Sequence, residues 1–218
     1  MSSAAAVSHG HPPTTTGQDH RKIAIWAFIG SECMLFTSLI STYLVYKGRS
    51  VTGPFPHEVC NPPQCATTLQ PILNIPVTSM STFVLLMSSL FMVLALAAVE
   101  NKGKPGYEGL LGSSKFWLMA TAIAGATFLG FQAYEFTSFV HEGLTIRTNL
   151  FGSTFFTLTG FHGAHVTAGV LWLLTLLAID YRRGLKPKDA INVDLAALYW
   201  HFVDVVWIAI FTLVYLIK

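Results

Sequence analysis

Long apolar runs alternate with short polar connections along the whole chain. Five runs hold no Lys or Arg, at 23–46, 76–99, 116–139, 151–179 and 195–217, and they are 24, 24, 24, 29 and 23 residues long. About 20 apolar residues in a helix cross the hydrocarbon core of a bilayer, so each run is long enough, and the fourth has residues to spare for tilt. The strands of a membrane barrel would alternate apolar with polar positions, and these runs do not. The pattern predicts an all-α, five-helix transmembrane bundle at 23–218, preceded by a polar tail at 1–22. That tail, MSSAAAVSHGHPPTTTGQDHRK, is small, polar and rich in Pro and Thr, a composition expected to be disordered. It lacks the basic start and early apolar core of a signal peptide, so the first helix is expected to be retained.

Composition narrows the class further. Of 218 residues, 52% are hydrophobic and 11% charged, with mean hydropathy +0.54. Soluble domains carry about 25% charged residues, which excludes an ordinary soluble enzyme. The net charge of +2 gives no footprint for nucleic acid. The basic residues are unevenly placed. Nine (Arg21, Lys22, Lys102, Lys104, Lys115, Arg182, Arg183, Lys186 and Lys188) fall on one side of the predicted bundle, against four (Lys47, Arg49, Arg147 and Lys218) on the other. Positive charge collects on the cytoplasmic side, which predicts the N-terminus inside and the C-terminus outside. Cys60 and Cys65, in CNPPQC, then lie in an outer connection where a disulfide is permitted. Cys33, inside the first run, is expected to be a buried free thiol.

Within the runs the ionisable residues are few: Glu32, Glu135, Asp204, His162, His165 and His201. A charge at mid-bilayer costs about 3 kcal/mol on insertion scales, so such groups face a bundle interior or a polar cavity. Glu32 and Asp204 each lie nine residues into their runs, about 13 Å deep at 1.5 Å per residue. His201 shares a helix face with Asp204, and His165 lies near the middle of its run. Glu32, His165, His201 and Asp204 are therefore expected to meet in one polar cluster across three helices. This is either an interhelical packing network or a protonatable site. His162 sits a turn further outward, and Glu135 lies close enough to a helix end to be interfacial. Gly160, Ala164 and Ala168, and likewise Ala122, Ala126 and Gly130, form small-residue ridges expected to pack helices closely. Trp26, Trp172, Trp200 and Trp207 read as lipid-facing or interfacial anchors. No set of ligands at copper spacing occurs, so no metal and no cofactor is expected in this chain.

The segments FGSTFFTLTGFHGAHVTAG (151–169) and YWHFVDVVWIAIFTLVYL (199–216) resemble the two signature helices of subunit III of the haem–copper oxidases. IGSECMLFTSL (29–39) and GFQAYEF (130–136) are similar to that family's carboxylate-bearing and Gln/Glu-bearing helices, in its bacterial five-helix form. The resemblance implies a non-redox integral subunit of a terminal oxidase in a bacterial cytoplasmic membrane. Haem and copper would reside in partner subunits I and II. The family's role is to stabilise subunit I, hold phospholipid and sustain proton uptake, with Glu32 at the position of the family's buried membrane carboxylate. The donor to the complex is expected to be cytochrome c, with a quinol as the alternative. Two further classes stand beside this reading: a related subunit of a nitric-oxide-reducing system, and an independent proton or ion carrier.

Overall fold

A computed structural model describes residues 19–47, 49–50, 73–110 and 112–217. Its five long helices are α1 (His20–Tyr46), α2 (Ile75–Glu100), α3 (Ser114–His141), α4 (Leu150–Arg183) and α5 (Ala190–Phe211). All five are long and apolar enough to cross a membrane, and the described residues contain no strand. Local chemistry sets the helix ends. The side chains of Asp19, Asn74, Ser113 and Asn149 accept from the free N–H groups of the first turns of α1 to α4, the capping such residues supply. The last turn of α4 stops at Gly184, whose φ of 71° is a left-handed conformation that suits glycine. A 3₁₀ turn, Pro187–Asp189, leads into α5, and a π turn, Thr212–Leu216, ends it.

Helix α5 is the centre of the bundle and touches α1, α2 and α4, while α3 joins α2 to α4 around the other side. The helix ends define two faces. The first carries the starts of α1, α3 and α5 and the ends of α2 and α4. The second carries the opposite ends. Helix α1 is the most peripheral element. It meets the bundle through a single stripe that includes Lys22, Ile25, Ile29, Glu32, Phe36 and Tyr43, at the three- and four-residue spacing of one helix face. Only Phe36 and Tyr43 of α1 are buried. Cys33 lies off this stripe and is an exposed free thiol, not a buried one.

Tryptophan placement departs from the expectation of lipid anchors. Trp26 is exposed, but Trp200 and Trp207 are among the most deeply buried side chains, and Trp172 is partly buried against the core. The Trp200 indole fills the space left by two glycines. A Cβ on Gly125 of α3 would lie 2.5 Å from its ring, and one on Gly169 of α4 would lie 2.8 Å from it. Its N–H donates to Ser88 Oγ on α2 at 2.9 Å. Trp207 donates to Thr82 Oγ1 at 2.9 Å. The predicted small ridges, by contrast, turn mostly away from the bundle. Ala126, Gly130, Ala164 and Ala168 are exposed, and a Cβ on Gly130 or Gly160 would meet nothing within 4 Å. Of those six positions only Ala122 is buried.

Charged groups tie the ends together. On the first face Lys22 pairs with Asp194 at 2.8 Å and Arg21 donates to Asn192 at 3.1 Å, fastening α1 to α5. Asp180, fully buried, accepts from Ser114 Oγ at 2.6 Å and from the Leu185 N–H at 2.8 Å. It joins the end of α4 to the start of α3 and to the turn that follows. On the second face Lys47 donates to the Ile217 and Leu213 carbonyls at 2.6 and 3.4 Å, which caps the C-terminal turn with positive charge. Partial burial pulls the pKa of this ammonium down.

Candidate functional site

The intramembrane ionisable residues fall into three groups. The first spans α1 and α4. His165 Nε2 lies 3.1 Å from Glu32 Oε2, with both side chains about one-sixth exposed. His165 is held from two sides: its Nδ1 meets the Phe161 carbonyl of its own helix at 2.8 Å, and its own carbonyl accepts from Tyr199 OH at 3.0 Å. With Nδ1 turned to a carbonyl, Nε2 is the nitrogen left for the carboxylate, an orientation set by the second hydrogen bond of the ring. Phe36 packs edge-on against the same imidazole, with centroids 5.0 Å apart. One hydrogen-bonded acid–imidazole pair thus sits between two helices at mid-depth.

The second group lies between α2 and α5. His201 Nδ1 is 2.5 Å from Ser89 Oγ. Asp204, one turn along α5, is buried on the same stretch of helix, and neither of its carboxyl oxygens has a hydrogen-bond partner among the described residues. No hydrogen bond among the described residues joins this group to Glu32 and His165. The four residues expected to meet in one cluster are divided between two helix interfaces. Ser89, which links the second group, carried no signal in the sequence, because serines are common in apolar helices.

His162 belongs to neither pair. It is fully buried and stacks on Trp207 at 4.8 Å, with the edge of Phe128 at 5.8 Å. Both its ring nitrogens lack a hydrogen-bond partner among the described residues.

Glu135 forms the third group, and it is buried rather than interfacial, only 8% exposed. Its two oxygens accept from Thr78 Oγ1 of α2 at 2.7 Å and from Tyr215 OH of the π turn at 3.1 Å. One helical turn earlier, Gln132 donates to the Thr159 carbonyl of α4 at 2.7 Å. Its amide lies where a Cβ on Gly163 would be, at 2.7 Å. The Gln and Glu of GFQAYEF therefore clamp α3 to different neighbours.

Two concave regions accompany these groups. A cavity of about 410 Å³ on the second face is lined by Asn74, Tyr134, Glu135, Ser138 and Glu142 among others. A shallow groove of about 450 Å³ runs along α4 past Leu171, Leu174 and Ala178 to Arg182 at the first face. Among the described residues no three of His, Cys, Asp and Glu converge as a metal-ligand set. Cys60 and Cys65 lie outside the described residues.

Comparison with known proteins gives one consistent result. The family described as cytochrome c oxidase subunit III matches residues 2–218. The chain is 40% identical to cytochrome c oxidase subunit 3 of Bacillus sp. PS3, over 89% of this chain and 84% of the relative. It is 36% identical to quinol oxidase subunit 3 of Bacillus subtilis, over 89% and 85%. A third relative, cytochrome bo(3) ubiquinol oxidase subunit 3 of Pseudomonas aeruginosa, is 32% identical over 99% and 94%.

Proposed function

The chain belongs to the cytochrome c oxidase subunit III family, and from that premise we propose that it serves a proton-pumping terminal oxidase as its non-redox third subunit, supporting proton uptake. Its partners are subunits I and II, which carry the haem and copper. Its location is the bacterial cytoplasmic membrane, with the N-terminus inside on the distribution of basic residues. Cytochrome c is the donor to the complex. The 36% identity to a quinol oxidase subunit keeps a quinol as the second reading.

The observation that carries the proton role is the Glu32–His165 pair. An acid and an imidazole in contact can hold one proton between them, and each compensates the other's loss of water in the membrane. The pair is also partly exposed on the surface where α1 meets α4, so it is not sealed in the core. Elsewhere on α4, the groove ending at Arg182 suits a phospholipid: acyl chain against the leucines, phosphate on the guanidinium.

The test is Glu32→Gln and His165→Asn in the purified complex, measuring oxygen turnover and protons pumped per electron. Both variants are expected to assemble, keep their haem spectrum and lose proton uptake rate more steeply as pH rises. Unchanged turnover and pumping in both would reduce the pair to packing. Co-purification of subunits I and II with this chain, and turnover with reduced cytochrome c against quinol, tests the assembly and the donor separately. A colourless chain purifying alone would favour an independent carrier.

A further inference from the structure

We propose that Glu135 is a second proton-exchanging carboxyl, served by water from the second face of the bundle and held so that its charged and neutral forms are both fully hydrogen-bonded. The argument begins with access. Glu135 lines the 410 Å³ cavity together with Asn74, Tyr134, Ser138 and Glu142, at the start of α2 and the end of α3. Asn74 and Glu142 are exposed at that face. A water takes about 30 Å³ of liquid volume and enters polar, roomy cavities, so this one admits several.

Hydrogen bonding supplies the second half. As a carboxylate, Glu135 accepts from Thr78 Oγ1 at 2.7 Å and from Tyr215 OH at 3.1 Å. As a neutral acid it must donate one hydrogen bond, and a partner must turn from donor to acceptor. Thr78 can do this without loss. Its hydroxyl lies 3.0 Å from the Asn74 carbonyl, so its own hydrogen turns there while its oxygen accepts from Glu135, as a hydroxyl with one donor and two acceptor sites allows. Tyr215 remains a donor in both states. Protonation therefore rotates one hydroxyl and leaves no buried polar atom stranded.

The groups that bond Glu135 or line its cavity come from three elements. Helix α2 presents Thr78 and Asn74, α3 itself adds Tyr134 and Glu142, and the π turn adds Tyr215. On the same face, Lys47 is engaged by the Ile217 and Leu213 carbonyls. No Lys, Arg or His bonds to Glu135 among the described residues, so its charge is not fixed by an ion pair. Asp204 is just as buried but lines neither concave region, which makes it the internal contrast.

The experiment treats the purified oxidase complex with a water-soluble carbodiimide and glycine methyl ester at about pH 5, then locates the new amides by peptide mass spectrometry. Glu142 and Glu135 are expected to be converted, and Asp204 and Asp180 to remain unmodified. Conversion of Glu142 without Glu135 overturns the proposal, as does conversion of Asp204 to the same extent as Glu135. An infrared difference spectrum of the complex between about pH 5 and about pH 8 is expected to show a carboxyl band that shifts on transfer to deuterated water. That band should be lost in Glu135→Gln. Its persistence in the variant overturns the assignment, and the labelling of the unaltered complex stands as a test even where the variant fails to assemble.

Discussion

Trp200 shows how one side chain organises this bundle. Its ring occupies the notch between Gly125 and Gly169, and its N–H is satisfied by Ser88, so three neighbouring helices are read by a single residue on α5. Removing the acceptor alone separates hydrogen bonding from packing. Ser88→Ala leaves the indole N–H buried and unpaired, which costs about 1–3 kcal/mol. Thermal unfolding of the complex, followed through this subunit's dissociation, should shift down by the equivalent amount. Trp26→Phe, on the exposed side of α1, should leave the same transition unmoved. Both tryptophans are equally visible in the sequence. What separates them is the environment around each ring, which no residue type encodes.

At the scale of the helix the question is rotational phase, meaning which face of each cylinder turns inward. The ridge Gly160, Ala164, Ala168 has the spacing of a packing motif, yet the close approach on α4 is made at Gly163 and Gly169 instead. Paired substitutions test this directly. Gly169→Ala pushes a methyl into the Trp200 ring and should destabilise by about 1–3 kcal/mol, the range for overpacking a filled core. Gly160→Ala meets open space and should be neutral or slightly stabilising. The measurement is the denaturation midpoint of each variant complex. Equal losses at both glycines would mean that the ridge is also buried, against a partner.

Across the whole molecule, polar groups are distributed by face. The first face is fastened by Lys22 with Asp194 and by Asp180 with Ser114. The second face is fastened by Lys47 and by Glu135 with Thr78 and Tyr215. Between them lie the Glu32–His165 pair and the Ser89–His201–Asp204 group. We propose that Cys60 and Cys65, which follow α1 in the sequence, form a disulfide on the outer side. Mass spectrometry without reduction should find the two cysteines joined. Alkylation of both as free thiols, in protein kept from reductant, would remove that disulfide and weaken the assignment of this face to the outside.

Helix number was legible because the cost of placing Lys or Arg in hydrocarbon is large and local, so their absence over about 20 residues marks a span wherever the helix points. The same logic singled out Glu32, His165, His201, Asp204, His162 and Glu135 as residues needing partners. The family followed from long ordered motifs in four of the five helices. The partners themselves were not legible. In water the buried face of a helix announces itself by being apolar, but lipid is as apolar as leucine, so all sides of these helices look alike and the pattern carries no phase. Only the tertiary structure decided that Glu32 meets His165 while His201 meets Ser89. It likewise decided that Glu135 is bonded by a π turn 80 residues away, and that two of the four tryptophans read as lipid anchors are the centre of the core.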